Sequence, residues 1–139
     1  MSDKKNIIFI CTGNACRSQI AHGLLKNIAN DRFNVFSAGS HPSLVHPMSI
    51  KVMEEIDIDI SDHSSDHIED YLDKGIDIVI TVCDNVNKLC PVFPGNVERL
   101  HWSIEDPFKG WDYNENQIDS FRDTRQKIND RILDFLKRF

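Results

Sequence analysis

What most constrains this chain is where its apolar runs fall and what separates them. Asn6-Ile7-Ile8-Phe9-Ile10 near the start and Ile76-Asp77-Ile78-Val79-Ile80-Thr81-Val82 in the middle are short, nearly continuous and rich in branched residues. Such runs leave no face for solvent, which is the condition of a strand buried in a parallel sheet. Between them the period changes. Arg17 to Ala29 carries Ile20, Leu24 and Ile28, with Ala21 and Leu25 beside them, at the spacing of a helix face. Phe33 to Ser37 reads as a second strand ending at Ala38-Gly39. Pro47 suits the first position of a helix that runs on through Ile50, Met53 and Ile56. A short helix is expected over Asp66 to Leu72 and a fourth strand over Asn96 to Trp102. A long final helix is expected from Gln117 to Phe139, through Ile118, Phe121, Ile128, Ile132, Leu133 and Leu136. Strands and helices alternate, so parallel strands must be joined by helical crossovers. The expected fold is α/β, a small doubly wound four-stranded parallel sheet flanked by helices. Its 139 residues form a single domain, 1–139.

Ligands of doubly wound sheets bind beyond the carboxyl ends of the strands. Cys11, Cys83 and the stretch after Trp102 each lie just past an expected strand, so they can converge on one site. The net charge of −6 argues against nucleic acid and anionic membranes as partners. Any anion must be held here by local donors working against the global charge. No apolar run approaches the roughly 20 residues that span a bilayer, and Ile7 to Ile10 is too short for a signal peptide. A cytoplasmic location is therefore expected. Thiols stay reduced there, so the cysteines at 11, 16, 83 and 90 read as catalytic or metal-binding groups rather than structural bridges.

The segment Cys11-Thr12-Gly13-Asn14-Ala15-Cys16-Arg17-Ser18 joins the first strand to the first helix. A loop wrapped over a helix N-terminus turns several backbone N–H groups inward and cradles an anion. Gly13 permits torsions that other residues resist. Arg17 can offer two parallel N–H donors to a tetrahedral oxyanion. Cys11 then sits at the base of the cradle, where positive potential favours the thiolate, the nucleophilic form. Ser18 can hydrogen-bond that thiolate, and Cys16 reads as a small structural residue of the loop. The plain alternative is a core cysteine at a strand end with an arginine nearby. Asp106-Pro107 by itself reads equally as a general acid or as a turn-forming pair.

The loop, with Asp106-Pro107, Ser37-Ala38-Gly39 and Asp57-Ile58-Asp59-Ile60-Ser61, resembles the low-molecular-weight tyrosine phosphatase superfamily over essentially the whole chain. That fold includes the thioredoxin-coupled arsenate reductases. The resemblance implies an oxyanion held by residues 11–18 and a general acid at Asp106. The segment Cys83-Asp84-Asn85-Val86-Asn87-Lys88-Leu89-Cys90-Pro91 looks like the redox segment of the reductase branch. By that resemblance Cys11 forms a thiol–arsenate adduct, Cys83 attacks Cys11 as arsenite leaves, and Cys90 attacks Cys83. Thioredoxin then reduces the Cys83–Cys90 disulfide. Arsenate is the implied substrate, phosphate and sulfate the competing oxyanions, and a monomer the expected state. The alternatives are a phosphatase, which needs only Cys11, Arg17 and Asp106, and a non-catalytic anion-binding or redox-sensing protein. For the second cysteine pair, inert buried thiols remain open, as does zinc, although the spacing is looser than usual for that metal.

Several such reductases bind potassium beside the anion loop. The resemblance places Asn14, Ser37, Ser64 and Asp66 at matching oxygen positions and His22 where a glutamate ligand stands. Imidazole is a poor ligand for a hard cation, so no tightly bound cofactor is expected, potassium at those four oxygens stays an open alternative, and His22 reads as a solvated helix residue. The other histidines, at 41, 46, 63, 67 and 101, show no metal-ligand pattern. If the stretch between Cys83 and Cys90 is helical, their Cα atoms stand roughly 10 Å apart along the axis. A disulfide tolerates up to about 7 Å, so oxidation is expected to unwind residues 84–89.

Overall fold

The computed structural model describes residues 4–83, 93–108, 110–111 and 115–138. Among them, four strands form one parallel sheet. They are β1 (Lys5–Cys11), β2 (Phe33–Gly39), β3 (Ile78–Thr81) and β4 (Glu98–His101), in the spatial order β2-β1-β3-β4. The helices are α1 (Arg17–Ala29), α2 (Pro47–Glu54) and α3 (Ile118–Leu136). The α/β expectation therefore holds, with most boundaries shifted by a residue or two and the last helix ending three residues early, at Leu136. The expected helix over 66–72 is instead a short 3-10 turn, Ile68–Tyr71, begun by His67, whose Nδ1 accepts the Glu69 N–H at 3.1 Å.

β1 lies between β2 and β3, and Ile7, Ile8, Phe9 and Ile10 are fully buried. That is why this run lacks alternation. α1 packs against β1 and β2, and α3 packs on both α1 and α2. Three apolar positions of the helix patterns face out: Ile28, Ile56 and Leu133 are exposed, while Ile20, Leu24, Leu25, Ile128 and Ile132 are buried. The stripe is thus narrower than the sequence suggests. The chain leaves β1 towards β2 on one side and meets β3 on the other. The strand order reverses at β1, so a crevice opens beyond the carboxyl ends of β1 and β3. The loop after Cys11 and the residues after Thr81 both emerge there.

The end of β2 closes the floor of that crevice. A Cβ on Gly39 would stand 2.5 Å from the Thr12 carbonyl oxygen and 2.9 Å from the Asn14 nitrogen. Only glycine lets the strand lie this close beneath the loop.

Candidate active site

The loop from Cys11 runs into the first turn of α1, and Cys16 at its N-cap makes no side-chain cap hydrogen bond. The first N–H groups of α1 thus lack side-chain capping, the arrangement that favours anions. The left-handed residue of the loop is Asn14, with φ 48°, rather than Gly13. Such a conformation costs roughly 1–2 kcal/mol for a residue with a Cβ. The Asn14 side chain offsets it with two bonds. Its Oδ1 accepts the Asp66 N–H at 2.9 Å, and its Nδ2 donates to Ser18 Oγ at 2.7 Å. Since Ser18 Oγ accepts from Asn14, its single proton is free to donate to Cys11 Sγ, 2.9 Å away. When Cys11 is the thiolate it has no proton to give, so Ser18 is then the donor in that bond.

Residues behind the loop fix the rest of it. The Ala15 carbonyl accepts from the His46 N–H at 3.1 Å and from Ser49 Oγ at 3.0 Å. The Gly13 carbonyl accepts from the Ser43 and Ser65 hydroxyls. Cys16 is 4% exposed, and burial pushes its thiol up to about 12 despite a bond with Ser49. Burial therefore keeps it protonated.

Arg17 donates to the Ile104 carbonyl at 3.0 Å and pairs with Asp106 at 3.3 Å. Asp106 is half-exposed, and its Oδ1 accepts the Phe108 N–H. Cys11, Arg17 and Asp106 line one cavity of about 270 Å³ together with Thr12, Gly13, Ala15, Cys16, Ser43, Phe108 and Trp111. Two aromatic rings wall it. Trp111 stacks on His46 at 5.3 Å, and Phe108 meets Trp111 edge-on at 5.1 Å. His46 is fully buried, with Nδ1 accepting the Met48 N–H and Nε2 donating to the Gly110 carbonyl at 2.7 Å. Its role as a support for the wall is not visible in the sequence.

Cys83 is buried at the end of β3, and its Sγ lies 3.3 Å from Thr12 Oγ1. It opens on a neighbouring cleft of about 590 Å³ that shares Arg17 and Asp106 with the first cavity. The structure therefore brings Cys11, Arg17, Asp106 and Cys83 to one crevice. Cys90 and the expected unwinding of 84–89 lie outside the described residues.

The potassium positions are engaged internally. Both Asp66 carboxylate oxygens accept hydroxyl donors, from Ser64 at 2.9 Å and Tyr71 at 2.6 Å. Ser37 Oγ is bonded to His22 Nδ1 at 2.8 Å. Each of these oxygens already has an internal partner with which a cation would have to share it. His22 is not a solvated helix residue, as the sequence suggested. It stacks on His63 with 4.3 Å between ring centroids, and burial lowers its pKa to about 3, keeping it neutral. Its bond to Ser37 and its stack on His63 hold the ring against neighbouring segments. Among the described residues, no cluster of His, Cys, Asp or Glu could hold a metal ion.

A thiol under an anion cradle, with a guanidinium and a carboxyl at its rim, defines an enzyme that acts on tetrahedral oxyanions through sulfur. The chain belongs to the low molecular weight phosphotyrosine protein phosphatase family, whose model matches residues 6–139. It is 48% identical over 105 residues to an arsenate reductase of Staphylococcus xylosus, covering 76% of this chain and 80% of the relative. With an arsenate reductase of Halalkalibacterium halodurans it is 43% identical over 133 residues, 96% of each chain. A thioredoxin-dependent arsenate reductase of Corynebacterium glutamicum has a similar solved structure, with TM-score 0.75 and 32% identity, covering 98% of this chain and 62% of that one.

Proposed function

We propose that this chain reduces arsenate to arsenite through Cys11, Cys83 and Cys90, with thioredoxin restoring the thiols. The observation that carries this reading is the bond between Thr12 and Cys83. Hydrolysis needs one thiol, and here the loop that forms the cradle also holds a second sulfur at its edge. The backbone N–H groups of residues 12–18 and the Arg17 guanidinium bind the oxyanion. Cys11 Sγ attacks arsenic and displaces an oxygen that leaves as water, with its proton supplied by Asp106. Cys83 then attacks Cys11 Sγ. The sulfur–arsenic bond breaks with its electron pair on arsenic, which leaves as arsenite, and a Cys11–Cys83 disulfide forms. Cys90 attacks Cys83, freeing Cys11, and a thioredoxin dithiol reduces the remaining disulfide. The thioredoxin dependence of the similar Corynebacterium enzyme supports that last step. The same reading takes the protein as a cytoplasmic monomer without a bound cation. Among the described residues, no helix is long and apolar enough to cross a membrane.

The test couples arsenate reduction to NADPH through thioredoxin and thioredoxin reductase. Arsenate-dependent NADPH oxidation that requires thioredoxin supports the reading, and its absence with active coupling enzymes overturns it. A second reading, hydrolysis of aryl phosphates, is favoured by one feature. The Phe108 and Trp111 rings wall a cavity larger than an oxyanion alone requires.

A further inference from the structure

Behind the cradle, the Gln19 carboxamide makes more directed bonds than any group the reaction uses directly. It is fully buried in the first turn of α1. Its Nε2 donates to two backbone carbonyls, Asn14 at 3.1 Å and Ser64 at 2.9 Å. Only the NH2 end of an amide can serve two carbonyls, so the orientation of this side chain is fixed. Oε1 is then the acceptor facing His63 Nδ1 at 3.0 Å, and His63 must carry a proton on Nδ1. His63 is held in turn by its stack on His22, which is bonded to Ser37 at the end of β2.

We propose that Gln19, oriented by His63, is a positioning residue of the anion cradle: it holds Asn14 in its left-handed conformation and so aims the Ser18 hydroxyl at Cys11. Asn14 is gripped from three directions, by Asp66 on Oδ1, by Ser18 on Nδ2 and by Gln19 on its carbonyl. Among the described residues, no buried side-chain polar atom lacks a partner. Without Gln19 the buried Asn14 carbonyl loses its donor, and the unfavourable φ of 48° loses one of its three restraints. The Asn14–Ala15 peptide is part of the loop, so its rotation redirects an N–H of the cradle. It also swings Asn14 Nδ2 away from Ser18. Ser18 Oγ then loses the donor that orients it, and its hydroxyl is no longer held towards Cys11.

The proposal rests on Cys11 being the reacting thiol but not on arsenate being the substrate. The test is therefore alkylation of Cys11 by iodoacetamide at pH 7 in the full chain, followed by peptide mass. Variants are Gln19→Leu, His63→Leu and His63→Gln. Gln19→Leu and His63→Leu should each slow alkylation of Cys11 about fivefold, the worth of one net hydrogen bond, with Cys83 alkylation unchanged. His63→Gln keeps a donor towards Gln19 Oε1 and should restore the rate to within about twofold. Sulfate should protect Cys11 less well in the two leucine variants. Should Gln19→Leu fail to fold, the half-buried His63 still decides the matter. Cys11 reacting at the unaltered rate in His63→Leu would overturn the proposal, and so would His63→Gln being as slow as His63→Leu. An inactive arsenate assay on the unaltered chain would leave this comparison standing.

Discussion

Replacing Thr12 by Val should separate the second chemical step from the first. The substitution removes one hydroxyl and keeps the β-branched shape, so the loop backbone and its N–H groups stay in place. What is lost is the 3.3 Å contact with Cys83 Sγ. When Cys83 attacks, its sulfur must be the thiolate, so Thr12 must then be the donor. A neutral hydrogen bond contributes about 1 kcal/mol net, and one to a charged group about 1.5–3 kcal/mol. The expected loss in arsenite release is therefore about fivefold at the least and roughly a hundredfold at the most, by the same figures. The first step needs only the cradle, Cys11, Arg17 and Asp106, so hydrolysis of p-nitrophenyl phosphate should stay within about twofold of the unaltered chain. The assays are single-turnover arsenite release without thioredoxin, which isolates the Cys83 step, and steady-state phosphate-ester hydrolysis. Equal losses in both would show that Thr12 serves the cradle instead. No loss in either would remove the Thr12–Cys83 contact from the mechanism.

Cys83→Ser and Cys90→Ser should each abolish thioredoxin-coupled turnover yet keep phosphate-ester hydrolysis, and full thioredoxin-dependent activity in Cys90→Ser would break the relay. Arg17→Lys should lower both activities by a hundredfold or more, on the order of the loss of one charge-assisted pair at a reacting centre, as measured by kcat/KM on either substrate. Exchanging potassium for sodium at fixed ionic strength should leave arsenate reduction unchanged, because Ser37 and Asp66 already hold internal partners; a rise with potassium would contradict this. Glu55 joins α2 to α3 through Arg122 and Arg125, and its hydrogen bonds with Arg122 are the main cause lowering its pKa from 4.5 to about 2. A depressed folded-state pKa means the pair stabilises fully above about 4.5 and loses that contribution as pH falls towards about 2. The gap in Tm between the unaltered chain and Glu55→Gln should accordingly close over that window, and a constant gap would refute the linkage.

The fold was legible because the two central strands carry no solvent face: Ile7 to Ile10 and Ile78 to Thr81 are buried throughout, as strands inside a parallel sheet are. The cradle was legible because its chemistry is compressed into eight consecutive residues. Sequence reasoning missed what the fold brings to the loop from a distance. Asn14, not Gly13, takes the left-handed turn, because a strained asparagine is affordable only where Asp66 and Ser18 bond its side chain. His46 and His63 looked unremarkable because a structural histidine has no spacing signature; their meaning lies in bonds to Gly110 and Gln19, 64 and 44 residues away. His22 looked solvated because helical position alone does not reveal a stacking partner on another segment.

Why one crevice can support two chemistries follows from what each reagent attacks. After Cys11 has bonded to the central atom of the oxyanion, two nucleophiles compete. Water attacks the central atom and returns the oxyanion, which is hydrolysis. The Cys83 sulfur attacks the Cys11 sulfur, and the bonding pair must then be accepted by the central atom. Arsenic(V) takes up two electrons readily to become arsenic(III), whereas phosphorus(V) does not. A phosphorylated Cys11 is therefore open to water alone, even with Cys83 beside it. The sulfur held by Thr12 adds a reduction without removing the hydrolysis, since Arg17 and Asp106 border both clefts. On this argument the central element of the substrate chooses between the two outcomes, and the chain supplies the geometry for each.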